Sequence, residues 1–119
     1  MKVLKVSVIS LPLFIIPLKL YASDNHTISP LARVADAQVF AEFTDKYPIV
    51  LNYFTSESDV NIINFYQEKY GDIASRSLKR ERLTLFFTHN KNRIRVVISQ
   101  QNNKRQVDVL SELISEIAP

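Results

Sequence analysis

The sequence predicts an α+β domain in which a three- or four-stranded, mainly antiparallel sheet carries one main helix on one face, behind a cleaved signal peptide. Three observations predict it. Lys2 and Lys5 precede an apolar run from Val6 to Leu18, and Leu20-Tyr21-Ala22 then gives way to polar Ser23-Asp24-Asn25. Val60, Ile63, Tyr66 and Tyr70 recur at helical spacing just ahead of Gly71, the one glycine of the chain. From Ser75 onward the apolar period becomes two.

The N-terminal order of charged, apolar, then small and polar residues is that of a secretory signal. Its thirteen-residue apolar run contains Pro12 and Pro17 and is closed by Lys19. That is well short of the roughly 20 residues needed to cross a bilayer as a helix. Residues 1–22 are therefore expected to be removed near Ala22, leaving a periplasmic or secreted chain with no membrane span in its mature part. The formal charge of +3 comes from the signal, because Lys2, Lys5 and Lys19 have no acid beside them and the remainder balances twelve basic against twelve acidic residues. Net charge thus gives no argument for a polyanion partner. The chain has no cysteine, which excludes thiolate metal sites, a lipid-modified cysteine and a cysteine nucleophile.

Residues 23–46 read as a polar lead-in with a short helix, for which Ser29 is the N-cap, Pro30 the first helical residue, and Leu31, Val34 and Gln38 the apolar-side spacing. Tyr47-Pro48 interrupts it, since proline disfavours helix at the residue before it. Residues 47–119 then form a single α+β domain. Ile49 to Thr55 reads as a strand with Ile49, Leu51 and Tyr53 on one face and Val50, Asn52 and Phe54 on the other. Ser56-x-x-Asp59 offers an acidic variant of the capping box, placing Glu57 and Asp59 in the first turn of a helix over 58–70. Gly71 follows as a C-terminal cap of positive φ. A helix between the first and second strands leaves open a parallel placement of the first strand beside a sheet edge by a right-handed crossover.

A tight turn at Asn90-Lys91 pairs Leu83 with Ile98, Leu85 with Val96 and Phe87 with Ile94. It sets Arg82, Thr84, Phe86 and Thr88 against Ser99, Val97, Arg95 and Arg93 on the other face. A second turn at Asn102-Asn103 pairs Ile98 with Val107 and Val96 with Val109. Asparagine tolerates positive φ better than most residues, so glycine-free turns fit at both places. Leu110, Leu113, Ile114 and Ile117 are spaced for a closing short helix.

Charge is segregated: residues 76–105 hold nine basic residues and one acid, Glu81. The register puts Arg82, Arg93 and Arg95 on the non-core face with Phe86 and Val97, and with Phe54 if the first strand joins that sheet. Arginine interleaved with aromatic residues suits an anionic or protein partner, whereas the plainer reading is a solvated sheet face. No catalytic set emerges. His26 and His89 lie more than sixty residues apart with no zinc spacing, no nucleophile signature and no glycine-rich loop, so neither a metal nor a cofactor is expected. The pairs Glu57/Asp59 and Glu112/Glu116 are accounted for by helix-end and helix-surface preferences.

The succession of Tyr47-Pro48, a strand, Asn64-Phe65-Tyr66 to Tyr70-Gly71, and two amphipathic strands ending in Arg95-Val96-Val97-Ile98-Ser99 resembles small exported Gram-negative bacterial proteins of unknown function. The likeness spans Tyr47 to Asp108 and implies a periplasmic address; it carries no functional residues over. The expectation is a non-enzymatic interaction module, accessory or inhibitor-like, that binds an envelope protein. The alternative is a binder of anionic polymers, nucleic acid or phosphorylated glycan, through the basic strands at 76–105.

Overall fold

The structure, a computed structural model, describes residues 30–114. The signal expected at 1–22, the expected lead-in residues 23–29 with His26 and Ser29, and Glu116 and Ile117 lie outside the described residues. Six strands and one helix follow in order: β1 (Gln38–Phe43), β2 (Ile49–Thr55), α1 (Asp59–Tyr70), β3 (Ser75–Lys79), β4 (Arg82–His89), β5 (Asn92–Gln101) and β6 (Lys104–Leu113). The strands form one sheet in the order β1-β2-β6-β5-β4-β3, and every neighbouring pair is antiparallel.

The expectation of three or four strands is thereby corrected to six, and the reasons are local. Residues 31–37 are not helical. Leu31 and Val34 instead point into the core from an irregular segment, and Gln38 opens β1. At the other edge, Arg80 and Glu81 take positive φ of 52° and 63°, making a two-residue turn that splits off β3. β2 lies antiparallel to β6, with Leu51 opposite Val109 and Tyr53 opposite Val107, so the crossover carries the chain from β2 to the far edge instead of a parallel neighbour. β6 continues to Leu113, pairing Leu110 with Val50 and Arg95, so Leu110 and Leu113 serve a strand and not a closing helix.

The β4-β5-β6 meander has the register that apolar alternation dictates. Leu83, Leu85 and Phe87 face Ile98, Val96 and Ile94, and Ile98 and Val96 face Val107 and Val109. Its turns use positive φ at Asn90 (51°), Lys91 (66°) and Asn102 (56°), the backbone hand that matches the twist of two-residue hairpins.

All of these apolar residues lie on one face of the sheet, where α1 and residues 31–37 cover them. Ile62 and Tyr66 of α1 are fully buried there against Leu51, Tyr53, Leu85, Phe87 and Val96. A chain of hydrogen bonds stitches the cover together. The Tyr53 and Tyr66 hydroxyls lie 2.8 Å apart, Tyr66 donates to the Ala32 carbonyl at 2.8 Å, and the Ala32 amide donates to the Tyr70 hydroxyl at 2.9 Å. Burial raises the pKa of all three phenols, Tyr66 far more than an exposed one, so they remain neutral and fully hydrogen-bonding.

The cap of α1 sits two residues later than the Ser56 capping box predicts. Ser58 is the N-cap, its Oγ accepting from the Asn61 amide at 3.1 Å. The Ser56 amide instead donates to Asp36 Oδ2 at 3.0 Å. Asp59 does occupy the first turn, and there it pairs with Arg105 of β6, while Arg105 Nη1 donates to the Glu57 carbonyl at 3.2 Å. Gly71 closes the helix with φ 97° and ψ −157°, its amide donating to the Gln67 carbonyl at 2.9 Å.

Candidate functional site

The second face of the sheet is where the predicted site residues meet. Strand pleating sends alternate residues of β4 and β5 away from the core, and the antiparallel register sets Phe86 opposite Arg95, Thr88 opposite Arg93 and Arg82 opposite Ser99. The guanidinium carbon of Arg93 lies over the Phe86 ring, 4.4 Å from its centroid, a cation–π contact. Arg95 lies between Phe86 and Leu110 across the strands. Among the described residues, Arg82, Arg93 and Arg95 form no ion pair; the bridges found are Arg33–Glu42 and Arg105–Asp59. Their charges are therefore available.

β2 and β1 extend the same face with an apolar half that sequence reasoning reached only at Phe54. The Phe54 ring packs on Phe40 with centroids 4.8 Å apart, and Phe43 lies opposite Val50, which in turn lies opposite Leu110. Phe40 and Phe43 are 52% and 63% exposed. Between the two halves, Asp108 accepts from Asn52 Nδ2 at 2.7 Å and from Gln106 Nε2 at 3.0 Å, and Glu112 lies opposite Arg93 across the strands, so the face carries two acids beside its arginines. The signal missed was in β1: Val39, Phe40 and Phe43 cluster in a segment whose strand character is masked by the exposure of nearly all its side chains.

A cleft of about 360 Å³ opens at one end of this face, with Phe86, Thr88, Arg93 and Ile114 in its walls. The face thus offers an aromatic anchor, cations and an apolar shelf on one rigid sheet. Among the described residues no group of three or more His, Asp or Glu could hold a metal, and no helix is long and apolar enough to cross a membrane. His89 lies on the opposite face beside Tyr70, ring centroids 5.2 Å apart, away from the arginines. Asp59 and Gly71 belong to the ends of α1 and Ser56 to the segment before its cap, and none of them lies on this face. The chain matches no protein-family model, no curated protein and no solved structure.

Proposed function

We propose that this is an exported, non-enzymatic interaction module whose open sheet face binds another envelope protein presenting apolar side chains together with carboxylates. The observation that carries the reading is the juxtaposition, on the face that the described residues leave uncovered, of Phe40, Phe43 and Phe54 with Arg95, which has no ion pair among those residues, and the Arg93–Phe86 contact. Exposed aromatic residues beside arginine are the composition of interface hot spots, and a contiguous apolar patch rimmed by charge is what docking surfaces present. The order of residues 1–22 supports export. An anionic polymer fits less well, because Asp108 and Glu112 share the face with the arginines and half of it is apolar.

The test is capture from an envelope extract with the purified protein and with an Arg95→Glu/Phe86→Ala variant. The variant is expected to keep its melting temperature nearly unchanged, since exposed strand-face charges contribute little to stability, and to lose the captured partner. A folded variant that retains the same partners would remove this face from consideration. Retention on heparin that falls steeply with salt would favour the polymer reading instead.

A further inference from the structure

We infer that the free edge of β3 takes up an extended peptide as an added strand, one whose side chains alternate between apolar and acidic. β3 is the last strand in the sheet order, pairs with β4 alone among the described residues, and is exposed at all five of its positions. The two-residue turn at Arg80-Glu81 makes Lys79 and Arg82 a hydrogen-bonded pair, and such pairs alternate along antiparallel strands. The main-chain groups of Ser75, Ser77 and Lys79 therefore turn toward β4, and the N–H and C=O groups of Arg76 and Leu78 turn outward. Outward edge groups of this kind are a template for another strand. The opposite edge is guarded by a break in its ladder, since β1 shifts register between Val39 and Ala41, and a bulge spoils an edge for strand addition. β3 keeps one register along its whole length.

The walls on the two sides of the edge select the occupant. On the helix side, β3 and α1 border a groove of about 460 Å³ whose apolar lining is Val60, Ile63, Leu78, Leu83 and Ile98, with Leu78 and Val60 70% and 63% exposed. Its charges favour neither sign, because Asp59 is paired with Arg105 and Glu81 shares the wall with Arg76. On the other side, Ser77, Lys79, Arg80, Arg82 and Thr84 surround a cleft of about 500 Å³, a lining with cations and hydroxyls and no carboxylate. None of these cations is in an ion pair among the described residues. An added strand sends alternate side chains to opposite sides of the sheet, so one set meets the apolar groove and the other meets the cations. Strand addition gains affinity from main-chain hydrogen bonds and specificity from such alternate pockets. A second copy of this chain fits poorly, since its own β3 edge would bring Arg76, Lys79, Arg80 and Arg82 against the same cations. Basic residues on an edge repel indiscriminate strands, and an acidic strand is the one they admit.

The purified protein is titrated with a short capped peptide that alternates valine with glutamate while amide shifts are followed by NMR. Two peptides serve as controls, one with lysine in place of glutamate and one with the glutamate sequence N-methylated throughout. Shifts confined to residues 75–82, Val60 and Ile63, with slowed exchange of the Arg76 and Leu78 amides, are expected from the glutamate peptide and from neither control. Lys79→Glu is expected to weaken binding about tenfold, because an attraction across strands becomes a repulsion. Lys46→Glu makes the same charge change at an exposed site between β1 and β2, at the opposite edge, and is expected to leave binding unchanged. Both positions are exposed, so both variants are expected to fold. No response to the glutamate peptide, an equal response to either control peptide, or equal effects of the two substitutions overturns the inference. So do concentration-dependent shifts of β3 without peptide, together with a dimeric mass by light scattering, since a second copy would then hold the edge.

Discussion

The two faces of this sheet are made by the same strands and end in opposite states. On one, Leu51, Tyr53, Leu85, Phe87, Val96 and Val107 are wholly buried; on the other, Phe43 stays 63% exposed and Arg93 lies over the Phe86 ring. Alternation assigns residues to faces but does not decide which face is covered. The connections decide it here. The chain must travel from β2 to the far edge at β3, and α1 makes that journey over the face carrying the uninterrupted aliphatic rows, while residues 31–37 fold over the same side to meet Tyr66 and Tyr70. Among the described residues, cover concentrated on one side leaves the other to surface chemistry.

The sharpest way to break the comparison is to exchange neighbours across the pleat. Leu85 is fully buried opposite Val96, and adjacent Thr84 faces the open side opposite Val97. Leu85→Ala is expected to cost about 2 to 5 kcal/mol, the range for an emptied core leucine, and Thr84→Ala less than about 0.5 kcal/mol. Urea unfolding of both variants measures it. Equal losses would mean that the open face is packed against something, and reversed losses that the strand is shifted by one residue.

The next largest effect tests the cover itself. Gly71 ends α1 at φ 97° and ψ −157° with open space where a Cβ would stand, so a substitution is penalised by backbone conformation and not by collision. That region is nearly exclusive to glycine. Gly71→Val is expected to lower stability by more than about 1 kcal/mol, and Gly71→Ala by less than valine does. An unchanged unfolding midpoint for the valine variant would show that the helix end is not held in this conformation, and that the cover is looser than the sheet beneath it.

Legibility divides the molecule in the same way. The β4-β5-β6 register could be read residue by residue, because its apolar alternation is uninterrupted and asparagine marks both turns; with it came the shared face of Arg82, Phe86, Arg93 and Arg95. β1 could not, since an edge strand with nearly every side chain exposed has no buried period to display. Neither could β3, whose turn is formed by Arg80 and Glu81 at positive φ, residues with no turn preference of their own. Helical spacing at Leu31 and Val34, and again at Leu110 and Leu113, misled for one physical reason: tertiary packing and strand pairing outweigh a weak local period.

The smallest effect concerns the seam along which residues 31–37 seal the covered face. Asp36 accepts from the Thr55 hydroxyl and, at 3.0 Å, from the Ser56 amide, and these two bonds, the hydroxyl first, hold its pKa below the ordinary carboxylate value. A carboxylate stabilised in the folded state adds stability that is complete above its unfolded pKa of about 3.9 and is lost as pH falls through the lower folded value. Because the group is largely solvated, screening keeps the gain small, below about 1 kcal/mol. Asp36→Asn should therefore be slightly less stable than the parent at pH 6, with the difference shrinking below pH 4 as the parent carboxylate is protonated. Denaturant midpoints of both proteins across that range decide it. A difference that stays constant with pH would mean that the charge of Asp36 does not pin the segment, leaving the Ala32 bonds to Tyr66 and Tyr70 to hold the covered face closed.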